Sequence, residues 1–362
     1  MKEKIKEFLI LILTASFVLG FAVWRICKPD DTESLSERRK LTQAPALTMQ
    51  NVLSGRFMTD FESYTLDQFP LRSEFRTVKA LFAEDILRQS DNNGLYRDGE
   101  YLSKLDFPLN VSSVENAAAR FQAVYDAYLS GMKVYLAVVP DKNYYTSAAY
   151  PKMDYAALTA LLAEKMPYAR QIDLTSDLTL GSYYRTDPHW KQEALLPAAR
   201  TILEAMGGTQ KDSYRTVRLD TPFYGSYAGQ SALPCSPDEL NYLTSETLEA
   251  CRVYDYETDT ETGVYNLAAA QGRDGYELFL SGSKSLLRIE NPNARTQKEL
   301  VIFRDSYGSS IAPLLVEEYA KVTLVDIRYL VPERLGQFLT FAEQDVLFLY
   351  SASVLNNSNA LK

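Results

Sequence analysis

The chain is 362 residues long, 46% hydrophobic and 23% charged, with a formal net charge of −9 at pH 7. That is the composition of a globular protein with room for one large domain or two modest ones, and its negative balance argues against nucleic acid or an anionic membrane surface as a partner. The single histidine, His189, rules out a metal site built on two or three His ligands, and three cysteines are too few for a cysteine-rich site, so no cofactor or metal is expected.

Lys2, Lys4 and Lys6 precede an apolar stretch, Phe8 to Trp24, that is closed by Arg25 and Lys28. At about 1.5 Å per residue it just reaches across a hydrocarbon core. No small-x-small cleavage pattern follows, so residues 1–28 read as an uncleaved, single-pass anchor with an extracytoplasmic body. Cys27 follows Trp24, Arg25 and Ile26, which are not the small residues that precede a lipidated cysteine. Residues 29–92 read as a tether and a helical lead-in. Asp30 to Gln43 is polar, and Thr48 to Gln89 has helical periodicity broken at Pro70.

From residue 93 to 356 the pattern is α/β. Turn signals fall at Asn93-Gly94 and Asp98-Gly99, and Leu95, Tyr96, Tyr101 and Leu102 flank the second as in a hairpin. Ser112 with Glu115 suggests a capping box for a helix ending near Gly131, and Val134 to Val139 is a buried strand. A helix over Tyr155 to Lys165, a short strand at 171–174 and a helix over Lys191 to Met206 follow. Residues 212–298 show only short alternating segments and read as an irregular insertion. Cys235 and Cys251, which fall in it, pair outside the cytoplasm or remain thiols; two residues carry too little pattern to decide. Glu299 to Phe303 is a strand, Ser309 to Tyr319 is helix-like, Val322 to Ile327 is a second strand, Glu333 to Phe341 is helical and Val346 to Tyr350 is a last strand.

Two stretches carry chemistry. Ser306 falls on the turn between a strand and a helix, where open α/β sheets place ligands and backbone N–H groups point outward. A hydroxyl held there is a nucleophile candidate; the alternative is a helix cap. Asp187-Pro188-His189 sits before a helix, and Pro188 keeps the tripeptide extended, so Asp187 and His189 share a face. Asp187 can then orient the ring of His189, whose other nitrogen faces a serine or a substrate. Arg328, at the end of a strand, is either an anion ligand or a structural ion pair. Lys142 reads as capping or solvated. The strand-end carboxylates Asp141, Asp173, Asp305 and Asp326 leave a weaker, magnesium-dependent phosphoryl reading open.

Together, YRTDPHW, VIFRDSYGSSIAPLL, VVPDKNYY, SERRKL, DFESYTLDQFPLR and GRDGYELFLSGSKSLLRIEN resemble the DHHW family, and are similar to the alginate O-acetylation proteins AlgJ and AlgX. The resemblance spans roughly residues 36 to 355. It implies an SGNH-hydrolase-like (flavodoxin-like), mostly parallel sheet with helices on both faces, and a triad of Ser306, His189 and Asp187. It further implies O-acetyl transfer or acetyl-ester hydrolysis on a cell-surface polysaccharide, beside a membrane-bound O-acyltransferase as acetyl donor partner. Amides near Ser306 and Tyr307 are the expected oxyanion donors, with Gly282 and Ser283 as further candidates. The sequence departs from the family where Arg304 replaces the Gly before Asp-Ser, and where Ser281-Gly282-Ser283 stands for Gly-Gly-Asn. Those departures motivate the alternative of a non-catalytic, glycan-binding or scaffolding surface protein.

Overall fold

The computed structural model describes residues 2–34, 36–147, 149–210 and 213–362. Met1, where the expected anchor begins, Leu35 in the tether, and Asp212, where the expected insertion begins, lie outside the described residues with Ala148 and Lys211. Two compact units emerge, one comprising the chain up to Asn92 with Ala228–Pro234, the other Asn93–Tyr227 with Cys235–Lys362.

In the first unit, helix α1 (Lys2–Cys27) contains a stretch, Lys4–Cys27, long and apolar enough to cross a membrane. The lead-in divides into α2 (Met49–Leu53), α3 (Arg56–Asp67) and α4 (Arg72–Leu81), with a wider π turn to Ile86. The break near Pro70 is present, with Leu71 left-handed at φ 57°, and Gly55, at φ 76°, adds a second break. The polar segment before these helices is strapped down. Asp67 accepts from Arg39 Nη1 (2.8 Å) and from the Thr42 amide (2.9 Å), and the Arg39 bond holds its carboxyl well below the usual range.

The second unit is built on one sheet of β1 (Val134–Val139), β2 (Ala169–Ile172), β3 (Arg252–Asp255), β4 (Thr260–Thr262), β5 (Leu286–Glu290), β6 (Glu299–Arg304), β7 (Lys321–Val325) and β8 (Asp345–Ser351). Their order across the sheet is β4, β3, β5, β7, β6, β8, β1, β2. Strands β7, β6, β8, β1 and β2 run parallel; β5, β3 and β4 extend the sheet antiparallel beyond β7. Helices cover both faces, as expected, and strand side chains alternate between them. Val346, Phe348 and Tyr350 of β8 pack with helices α5 (Val111–Val124) and α6 (Tyr155–Lys165). Leu347 and Leu349 face α7 (Leu196–Ala205).

Several local expectations shift. The N-cap of α5 is Asn110, whose side chain accepts the Ser113 amide, rather than Ser112. The helix expected over Lys191 to Met206 is a 3-10 turn, Gln192–Ala194, followed by α7, with Pro197 in the first turn, where its missing N–H costs nothing. The helix expected over Ser309 to Tyr319 is only Gly308–Ile311, continued by a 3-10 turn through Leu315, because Pro313 cannot donate to an α ladder. The helix expected over Glu333 to Phe341 is likewise a 3-10 turn, Pro332–Gln337. Residues 213–298 hold short strands, three of which (β3, β4, β5) join the main sheet. No disulfide joins Cys235 to Cys251, which is buried in the core.

Candidate active site

Strand β6 delivers the chain to Arg304, Asp305 and Ser306 at the carboxyl end of the parallel sheet. Asp305 is buried and acts as a clamp: Oδ1 accepts the Tyr307 amide (3.0 Å) and Oδ2 accepts the Ser351 amide at the end of β8 (2.8 Å). The turn that exposes Ser306 is therefore tied to the neighbouring strand. Arg304, also buried, lies against Gly308, where a Cβ would come 2.7 Å from Arg304 Cβ. Its guanidinium donates to the carbonyls of Asp305 (3.3 Å), Lys284 (3.3 Å) and Gly282 (3.5 Å), beside Asp326 at 3.7 Å. An arginine in place of the family's glycine is thus accommodated, because Gly308 supplies the close approach instead.

A second segment, Arg185 to Trp190, comes from the loop before α7. Asp238 accepts the amides of Arg185 and Thr186, both at 2.8 Å, and the Thr186 hydroxyl at 2.6 Å. Gly225 closes onto the same loop. Its amide donates to Thr186 Oγ1 (2.8 Å), and the next amide, Ser226, donates to Asp187 Oδ2 (2.8 Å). Any side chain at Gly225 would meet the Thr186 carbonyl oxygen at 2.2 Å and Asp187 Cβ at 2.3 Å, so this contact requires glycine. Lys142, expected to cap a helix or be solvated, is instead buried, with Nζ donating to the carbonyls of Leu102 (2.7 Å) and Arg185 (3.3 Å). Burial pushes its pKa down to about 7, while Asp187 and Asp238 pull it upward.

The two segments meet. His189 Nδ1 lies 2.5 Å from Asp187 Oδ1, and His189 Nε2 lies 2.7 Å from Ser306 Oγ. With the proton on Nδ1 donated to Asp187, Nε2 is left to accept from the serine hydroxyl. Asp187 is fully buried, and Ser306 and His189 are partly exposed. The imidazole is sandwiched in place: the Tyr276 ring stacks on it at 3.9 Å and 11°, and Tyr307 lies at 4.8 Å. Trp190 Nε1 donates to Ser310 Oγ (2.8 Å), which also bonds the Tyr276 hydroxyl (2.7 Å). One hydroxyl on the helix after Ser306 therefore joins the His189 loop to the stacking tyrosine.

A cavity of about 440 Å³ opens over this group, lined by Ser306, His189, Tyr276, Gly282, Ser283 and Lys284 among others. Gly282 and Ser283 thus reach the cavity as the sequence suggests, but two of the expected oxyanion donors do not survive. The Tyr307 amide is taken by Asp305, and the Gly282 amide by the Phe279 carbonyl (3.0 Å). Tyr307 serves the histidine loop instead, its hydroxyl donating to the Pro188 carbonyl (2.8 Å). The Ser306 N–H and the Ser283 N–H and hydroxyl make no hydrogen bond among the described residues.

Arg328 does not line the cavity. It forks onto Asp326 (2.9 and 2.6 Å), the structural ion pair that was one of its two readings. The four strand-end aspartates are each engaged separately, Asp305 by amides, Asp326 by arginine, Asp141 by Tyr155 and Asp173 by Thr175. Among the described residues no group of three His, Cys, Asp or Glu is placed to hold a metal ion. Tyr276, Ser310 and Lys142 were missed as site residues. The GRDGYELFL block, noted only for its likeness, was the one signal for Tyr276.

Solved structures share this architecture. A DHHW family protein from Eubacterium siraeum aligns over 75% of this chain and 97% of its own, at 20% identity and a TM-score of 0.60. PatB1 from Bacillus cereus, in a structure with a sulfonyl adduct, aligns over 72% of this chain and 95% of its own, at 16% identity and a TM-score of 0.55. The O-acetyltransferase domain of AlgJ from Pseudomonas putida aligns more loosely, over 73% of this chain and 92% of its own, at 15% identity and a TM-score of 0.45. No family model and no curated protein matches the sequence. The mostly parallel sheet with helices on both faces that the sequence motifs implied is the fold that these structures share.

Proposed function

We propose that this protein is a serine-dependent O-acetyltransferase or acetylesterase, anchored in a membrane by α1, that works on a cell-surface polysaccharide outside the cytoplasm. The observation that carries the reading is the continuous chain from Asp187 through His189 to Ser306, at 2.5 and 2.7 Å. Ser306 Oγ attacks the carbonyl carbon of an acyl ester, and its proton passes to His189 Nε2. Asp187 stabilises the imidazolium through Nδ1–H. The oxyanion is met by the Ser306 N–H and by Ser283, donors at the cavity that make no hydrogen bond among the described residues. Collapse of the intermediate breaks the ester C–O bond, and His189 returns the proton to the leaving oxygen, leaving acetyl-Ser306. A sugar hydroxyl, or water, then attacks in the same geometry and regenerates the serine.

The acetyl donor partner implied by the family likeness is a membrane-bound O-acyltransferase, which fits an anchored acceptor enzyme. The scaffold alternative rested on Arg304 and Ser283. Arg304 is accommodated beneath the turn and Ser283 offers a donor, so no observation favours it. The test is transfer of acetyl from p-nitrophenyl acetate to neutral oligosaccharides by the full chain, read by mass spectrometry. Acetylated sugar or accelerated ester hydrolysis, lost in Ser306→Ala, is expected; equal rates in the parent and Ser306→Ala would defeat the reading.

A further inference from the structure

The lead-in helices of the first unit are inside out. On α4 and the turn after it, Leu71, Phe75, Val78, Phe82 and Ile86 recur every three or four residues, the spacing of one helical stripe, and all five are exposed, Val78 at 64% and Ile86 at 65%. The opposite, inward side carries small and charged residues: Ala80 and Ala83 are buried, Arg72 and Arg76 pair with Glu37, and Arg76 donates to the Gly229 carbonyl (2.8 Å). A helix facing water on its outer side has the reverse arrangement. Helices α2 and α3 add exposed Val52, Leu53, Met58 and Phe61. An apolar patch of this extent marks an interaction site.

The stripe is continuous with α1. Phe21, one turn before Arg25, stacks on Phe69 (5.4 Å, 3°) and lies against Phe75 (5.7 Å), the stripe's own residue. Arg25 lies over the Tyr64 ring at 4.7 Å and pairs with Asp30 at 2.8 Å. Phe21 and Arg25 mark where the apolar span gives way to charge, so the stripe begins at the depth of the bilayer surface. Its side chains are Phe, Leu, Ile and Val, and the exposed Lys79 at its edge can reach from the apolar face to the lipid headgroups, as basic residues of interfacial helices do.

We infer that α2 to α4 form a second membrane contact, an interfacial helical collar whose apolar stripe lies among lipid acyl chains beside the anchor. The inference rests on the reading that α1 spans the membrane, and it replaces a free stalk with a collar fixed at the bilayer surface. The occupant is lipid, not a second protein.

The experiment uses the full chain in phosphatidylcholine vesicles, with Cys27→Ser and Cys235→Ser as background and a nitroxide on one introduced cysteine at a time. Val78→Cys and Ile86→Cys report the stripe, Leu13→Cys the span and Leu267→Cys the second unit. Labels at 78 and 86 are expected to collide with oxygen several-fold more than with a water-soluble nickel chelate, relative to 267, and to resemble 13. If 13 reads as lipid while 78 and 86 match 267, the collar is refuted and the anchor stands. If 13 also reads as aqueous, the anchor fails and takes the collar with it. Labels at 78 and 86 shielded from both reagents would mean a protein contact and overturn the lipid assignment.

Discussion

Asp187→Asn separates the proposed catalytic role of the carboxylate from mere packing. Asp187 uses both oxygens: Oδ1 takes His189 Nδ1–H at 2.5 Å and the His189 amide at 3.2 Å, and Oδ2 takes the Ser226 amide at 2.8 Å. An asparagine of the same shape satisfies only one side. If its oxygen stays on Ser226, its NH2 faces Nδ1 and forces the proton onto Nε2, where it blocks acceptance from Ser306. If its oxygen faces His189, its NH2 meets the Ser226 N–H and a buried donor loses its partner, at about 1–3 kcal/mol. The first arrangement keeps the fold and loses the base. In a serine protease with the same three groups, the wrong tautomer produced by an Asp→Asn change lowers kcat by about 10⁴, and each tenfold corresponds to about 1.4 kcal/mol of barrier. We expect a loss of about 10³ to 10⁴ in kcat for p-nitrophenyl acetate, with KM little changed and a modest drop in Tm. Turnover within tenfold of the parent in a folded variant would refute the reasoning.

Three further outcomes follow from the same contacts. Gly225→Ala should lower stability by about 3 kcal/mol or more and abolish activity, since the backbone it would strike cannot yield without moving Asp187; an unchanged Tm would contradict this. Lys142 has a folded pKa of about 7 against an ordinary 10.5, so the unfolded chain holds the extra proton between those values and stability rises with pH across that window. The burial cost is full below pH 7 and fades toward 10.5; denaturant titrations of Lys142→Met should show that rise flattened. Tyr276→Phe keeps the stack on His189 but loses the Ser310 bond and should cost less than about tenfold in kcat, whereas Tyr276→Ala should cost clearly more; equal effects would remove the stack from the account.

What the sequence made legible were the features that local chemistry determines. Val134–Val139 is a strand with the bounds its β-branched run suggested, and Asp187 and His189 share a face because Pro188 prevents a helix there. Their meeting with Ser306 was an expectation from motif likeness. Features set by distant partners were not legible. Lys142 looks solvated until the Leu102 and Arg185 carbonyls are seen to receive it. Arg328 became a structural ion pair because Asp326 lies two residues before it on the same turn. β4 is Thr-Glu-Thr, fully exposed, and becomes a strand only by pairing with β3. The short helix after Ser306 shows the reverse error, in which apolar periodicity was read through Pro313.

The central claim, that His189 and Asp187 activate Ser306, is tested most directly by reaction of the full chain with a sulfonyl fluoride, followed by peptide mapping. The account predicts one adduct, on Ser306, absent in Ser306→Ala and slowed by at least about a hundredfold in His189→Gln and Asp187→Asn. An adduct at another residue, or labelling of Ser306 at an unchanged rate in His189→Gln, would contradict it.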